Sequence, residues 1–280
     1  MEIERSEVNT MLKKSIHIDL IYQELSFEER FAAAKRDGFD AVELYWKWEG
    51  RNLAKIKELL EENKLQLSAI SGDLPENEMI SMCDPAQKET YLESVRRSLE
   101  ASEILGNRII MLHAAAISAQ PPFSALPLSE EFSDNRKFCA MYDVMKTIAP
   151  WAEKKGITFV LEPLSEIAHS GYLLKDTKTC GDLVRAVNSP NVKILYDAYH
   201  AYLEEGKLCE TISQYIDDIG LVHIADAPGR HEPGTGAVNW KNVLKHLVSL
   251  SYDGYVSFEF YPESTSQKAV QAVVDLLASV

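Results

Sequence analysis

Four residues with acid or imidazole side chains stand at the ends of four successive strand-like runs. They are Glu162 in ITFVLEP, Asp197 in VKILYDAYH, His223 in LVHIAD and Glu259 in YVSFEFY. Consecutive members are 35, 26 and 36 residues apart, about one strand–helix–strand repeat each. If the four strands are parallel neighbours, all four side chains meet at one end of a sheet. Three carboxylates and one imidazole at one point call for a divalent cation, because carboxylates gathered without one repel and resist ionisation. Oxygen-rich coordination with a single imidazole suits Mn2+ first, with Mg2+, Co2+ or Zn2+ as alternatives. Such an ion could grip adjacent oxygens of a hydroxy-carbonyl compound. Glu162 and Glu259, on either side of it, could then move a proton across a carbon or to its neighbour. That is isomerase or epimerase chemistry.

The elements that must position these residues are legible from end to end. Strands are expected near 15–20, 39–44, 65–71, 108–113, 157–162, 192–197, 221–225 and 255–260. Most are almost continuously apolar, as suits parallel strands buried on both faces. Helices are expected near 26–37, 50–63, 85–105, 130–155, 176–187, 207–218, 239–250 and 265–279. Ser26 with Glu29 forms a capping-box pattern, and Asp84–Pro85 pairs an N-cap with a proline at the first helical position. Gly38, Gly106 and Gly156 mark helix ends. Eight strands alternating with eight helices predict an α/β chain folded as one (β/α)8 TIM barrel over residues 1–280. An early glycine-rich dinucleotide fingerprint, which would favour an open sheet, is absent. The one long irregular stretch, 114–129, follows the fourth strand and reads as a lid, a substrate-shaping loop or a plain insertion.

Barrel enzymes carry reactive groups at the C-terminal ends of their strands. Two further residues fall there. Glu43 ends the second strand (DAVELYW) and could hydrogen-bond a substrate hydroxyl, with Tyr45, Trp46 and Trp48 as walls; a salt bridge inside the barrel is the competing reading. His113 ends the fourth strand (IIMLHA), as a substrate contact, a support or a structural histidine. His17 on the first strand reads as interior packing or a polar floor. Glu166 and His169 lie in the loop after the fifth strand, with nothing in their spacing to fix a role. Gly234-Thr235-Gly236 reads as a turn before it reads as a phosphate cradle.

The bulk composition narrows the classes. The chain has 280 residues, a formal net charge of −14, 46% hydrophobic and 26% charged residues. So acidic a surface repels phosphate backbones, so nucleic acid is not an expected partner. No run reaches the ~18 apolar residues of a membrane span. Cys83, Cys139, Cys180 and Cys209 are widely spaced with no CxxC, and MEIERSEVNT is charged rather than signal-like. Both point to a cytoplasmic protein.

The runs LEPL (161–164), YDAYH (196–200), VHIADAPGRHEPGTG (222–236) and GYVSFEFYP (254–262) resemble the xylose-isomerase-like barrel superfamily. The nearest likeness is to hydroxypyruvate isomerases and their sugar-epimerase relatives. The resemblance implies a metal held by Glu162, Asp197, His223 and Glu259, with the two glutamates as the acid–base pair. It also implies that His200 and Arg230 contact substrate oxygens, that the substrate is a small sugar, ketose or keto acid, and that the chain pairs as a homo-oligomer. Ser165 departs from the asparagine relatives often carry, and Ala237 from an acid common in hydroxypyruvate isomerases. Within the same fold, an inosose-type dehydratase would use much the same residues. A zinc phosphodiesterase of the apurinic-endonuclease type would need more ligands on strands two to four and a basic face.

Overall fold

Eight short strands, each apolar and β-prone, close on themselves in sequence order. They are β1 (Lys13–His17), β2 (Ala41–Leu44), β3 (Gln66–Ser71), β4 (Ile109–Leu112), β5 (Thr158–Leu161), β6 (Val192–Asp197), β7 (Ile219–Ile224) and β8 (Tyr255–Phe258). Every neighbouring pair is parallel, and β8 returns to β1 with Lys13 opposite Tyr255 and Ile16 opposite Phe258. The computed structural model describes residues 12–45, 48–72, 80–118 and 120–280. The MEIERSEVNT segment and the expected pocket wall Trp46 lie outside the described residues.

The helices form the outer layer: α1 (Phe27–Arg36), α2 (Leu53–Glu62), α3 (Lys88–Leu105), α4 (Asp134–Lys155), α5 (Thr177–Val187), α6 (Ala198–Glu204), α7 (Leu208–Tyr215), α8 (Trp240–Ser249) and α9 (Ser266–Ser279). Their ends follow the sequence signals. The Ser26 N–H donates to Glu29 Oε2 at 2.9 Å, closing the capping box of α1. Asp84 Oδ1 accepts from Ala86 N–H at 2.9 Å, and Pro85–Gln87 forms a 3₁₀ turn that leads into α3. Gly106 (φ 86°) and Gly156 (φ 62°) end α3 and α4 in the left-handed conformation that glycine adopts without strain.

The structure departs from the expected elements in one place that matters. Nine α-helices are present among the described residues, not eight. The added one, α6, begins directly after β6 because Asp197 Oδ1 caps it, accepting from Tyr199 N–H at 2.8 Å. That short helix carries His200. The first strand also stops at His17 rather than running to residue 20, and Leu20 and Ile21 N–H turn back onto the His17 carbonyl.

Two apolar clusters sit on opposite sides of the strands. The larger lies between barrel and helices. The smaller comprises Ala69, Met111, Val160, Leu195 and Leu221 from five consecutive strands. Side chains on a strand alternate between faces. The residues two positions on from that inner layer are Ser71, His113, Glu162, Asp197 and His223. The same alternation that fills the barrel therefore aims the chemistry-bearing side chains inward at its C-terminal mouth.

Candidate metal centre and active site

One ligand atom from each of Glu162, Asp197, His223 and Glu259 lies within 4.8 Å of the others, and all four residues are buried. Asp197 and His223 are direct partners across β6 and β7. His223 stands opposite Ser257 on β8, and Glu259 follows two residues on. His223 turns Nδ1 into the cluster, 3.3 Å from Glu259 Oε2 and 3.9 Å from Glu162 Oε1. Glu162 Oε1, Asp197 Oδ2 and His223 Nδ1 are shut off from solvent, and none makes a hydrogen bond of proper geometry. Buried polar atoms in folded proteins are normally paired. Three such orphans facing one point, all of them metal-ligating types, fit a divalent cation.

The electrostatics describe a site short of positive charge. Burial pushes the Asp197 carboxyl up to about 7, with Arg230 opposing and Glu259 and Glu162 reinforcing the shift. Burial also works against ionised Glu259, but Arg230 and His223 outweigh it and hold that carboxyl well below the usual range. Burial lowers His223, yet Glu43 and Glu259 more than compensate and keep it protonated well above an ordinary imidazole. A bound cation would displace those protons from Asp197 and His223.

The remaining expected residues separate into two groups around this cluster. Arg230 lies against it. Its guanidinium donates to Glu259 Oε2 at 2.8 Å and approaches Asp197 Oδ2 at 3.6 Å, between the rings of Tyr199 and Tyr261. Arg230 is itself held at φ 57° by a loop that Asp226 organises. That carboxylate accepts from Ala227, Gly234 and Val238 N–H. The Gly234 amide is therefore spent on Asp226, and a side chain at Gly236 would meet the Ala227 carbonyl at 2.1 Å. The Gly-Thr-Gly stretch is a turn. His113 Nε2 lies 3.0 Å from Glu162 Oε2. His200 accepts at Nδ1 from Ser165 N–H (3.4 Å), which leaves the proton on Nε2, 3.7 Å from Asp197 Oδ2. Burial foremost, then Arg230 and His169, keeps His200 neutral.

Glu43 sits elsewhere. It is 0% exposed and its Oε1 lies 2.9 Å from His223 Nε2, behind the ring and away from the cluster. This contact with His223 is an ion pair inside the barrel, one of the two readings expected of Glu43. His17 lies below, 4.0 Å from Glu43 and packed on the Tyr45 ring at 3.9 Å. Trp48 does not wall the pocket: it is buried with its indole N–H on the Ser71 carbonyl at 2.8 Å. Glu166 is likewise structural, accepting from Gly171 N–H at 3.0 Å. The sequence marks Tyr45 only as a pocket wall, yet its hydroxyl donates to Glu259 Oε1. The signal was there in the alternation, since Tyr45 lies two residues beyond the inward-facing Glu43.

A closed eight-stranded parallel barrel with a buried carboxylate–imidazole cluster at its C-terminal mouth defines the class: a TIM barrel with its candidate site at the strand ends. The chain matches the xylose isomerase-like TIM barrel family model over residues 31–280 and belongs to that family. It is 28% identical over 264 residues to the hydroxypyruvate isomerase of Escherichia coli (strain K12), covering 93% of this chain and 98% of that protein. It is also 28% identical over 258 residues to the 2-oxo-tetronate isomerase of Cupriavidus necator, covering 91% and 94%. Among solved structures, a family 2 AP endonuclease from Brucella melitensis superposes with a TM-score of 0.82 at 24% identity, covering 93% of this chain and 97% of that one. At that identity the likeness is one of fold.

Proposed function

We propose that this protein is a divalent-metal-dependent isomerase of a short hydroxy-keto acid or ketose. The observation that carries the reading is the placement of Glu162, after β5, and Glu259, after β8, on either side of Asp197 and His223 on β6 and β7. Glu259 is held ionised by Arg230 and hydrogen-bonded by Tyr45, so it is the carboxylate ready to accept a proton from carbon. Glu162, touched by His113, faces it across the cluster as the second acid–base group. Asp197 and His223, with the two glutamates, would hold the cation, and Mn2+ suits this donor set best. When bound, the cation supplies Lewis acidity toward the substrate carbonyl. His200 offers its Nε2–H to a substrate oxygen beside Asp197, and Arg230 is the mouth's cation for a substrate carboxylate.

The names of the two curated relatives support small keto acids as the substrate class. The four cysteines are free, and no helix among the described residues is long and apolar enough to cross a membrane. The phosphodiesterase reading is weaker. Its extra metals need further ligand groups, and the described residues form one such cluster; the net charge of −14 also opposes a polyanion. The test is hydrogen exchange at carbon in D2O, followed by NMR, with Mn2+-supplemented protein and hydroxypyruvate, 2-oxo-tetronate and free ketoses in turn. Exchange with at least one of these is expected. Its absence with all of them, or cleavage of an abasic duplex instead, overturns the proposal.

A further inference from the structure

His169 is not part of the cluster, yet it is built into the same mouth. It closes a turn after β5, its N–H on the Ser165 carbonyl at 2.8 Å. The residue is 6% exposed, and its Nδ1 is shut off from solvent with no partner. The ring is clasped between two others. Phe123 stacks on one face at 5.4 Å and 15°, and His200 meets it edge-on at 5.0 Å and 61°. His200 in turn lies 3.7 Å from Asp197. His169 therefore stands one ring further from the cluster than His200.

The clasp is rigid. The 114–129 segment, for which a lid was one expectation, is tied to the β5 turn. Ser124 bridges Ser170, Ala125 N–H donates to the Ser170 carbonyl at 2.8 Å, and Ser170 N–H donates to the Phe123 carbonyl at 3.2 Å. Burial foremost, then Arg230 and His113, brings His169 down to about 3, so it is neutral. A neutral imidazole offers one donor and one acceptor, the complement of a hydroxyl group, and no charge for a phosphate.

We propose that His169 determines chain-length specificity by hydrogen-bonding a hydroxyl of the substrate one position beyond the oxygens gripped at the carboxylate cluster. The inference rests on the proposed function and deepens it, since the keto acids in the names of the two relatives differ by one such carbon.

The experiment measures binding rather than turnover. The full chain with Mg2+ is titrated calorimetrically with the non-isomerisable acids glycerate (three carbons) and erythronate (four carbons). His169→Phe keeps the stacking and removes both ring nitrogens; His169→Gln restores a donor and an acceptor. The wild type should prefer erythronate, and His169→Phe should lose about five- to tenfold on erythronate alone, the size of one net hydrogen bond, with glycerate and Mg2+ affinities unchanged. His169→Gln should recover part of that loss. Equal losses on both acids, weakened Mg2+ binding, no change, or wild-type binding of neither acid would each overturn the proposal. If the binding pattern appears without carbon exchange in D2O, the isomerase reading fails and this one stands; exchange with an indifferent His169→Phe gives the reverse.

Discussion

Replacing Glu43 by alanine should weaken divalent-cation binding although Glu43 touches no cation-facing atom. His223 turns Nδ1 toward Glu162 and Glu259, so the proton of a cation-ready ring belongs on Nε2, and Glu43 Oε1 lies 2.9 Å from it. Both residues are buried, and the contact is an ion-pair distance that falls short of full hydrogen-bond alignment. Alanine leaves that N–H in the barrel without an acceptor, a loss of about 1–3 kcal/mol. It also frees the ring to rotate. Removing a carboxylate that orients a ligating histidine commonly lowers metal affinity about 10–100-fold, which is about 1.4–2.7 kcal/mol. The two routes agree in size, so a drop of that order is expected. Glu43→Gln keeps an acceptor oxygen in place and should lose less than about tenfold. The assay is electron paramagnetic resonance of free Mn2+ through a titration, with melting of the metal-free protein in parallel. Mn2+ affinity in Glu43→Ala within about threefold of wild type would refute the orienting role. Unchanged Mn2+ affinity with a raised KM would restore the substrate contact read from the strand end.

Three other outcomes follow from the same geometry. At saturating Mn2+, Glu162→Gln and Glu259→Gln should each lower carbon exchange in D2O by about 10²–10⁴-fold, and wild-type exchange in either would remove it from the acid–base pair. Apparent Mn2+ affinity should fall as pH falls, because the ion displaces one proton from His223 throughout and a second from Asp197 below about pH 7. The slope should steepen from one proton to two near pH 7; a flat profile between pH 6 and 8 would contradict it. Leu195→Ala, in the inner layer beneath Asp197, should cost about 2–5 kcal/mol in denaturant unfolding, and a loss under about 1 kcal/mol would mean the layer is not a packed floor.

What could be read from the sequence was whatever depends on the chain's own periodicity. The strands were legible because each is buried on both faces and so runs continuously apolar. The four cluster residues were legible because a closed barrel brings equivalent strand ends together whatever lies between. Relations across space were not. Glu43 occupies a strand end just as Glu259 does, and nothing along the chain says that its carboxylate points at the back of His223. That depends on how β2 and β7 face each other through the barrel interior. The short helix α6 is hidden in the sequence because its start signal, Asp197, reads there as a ligand, whereas in the structure one oxygen of that carboxylate caps the helix and the other faces the cluster. Oδ1 caps Tyr199 while Oδ2 remains unpartnered in the cluster. The clasp of Phe123 on His169 joins two loops that share no pattern and meet only because β4 and β5 are neighbours. Residues of ligand type are visible by kind and position along the chain, whereas the contacts of Glu43, His200 and His169 are defined by their neighbours in space.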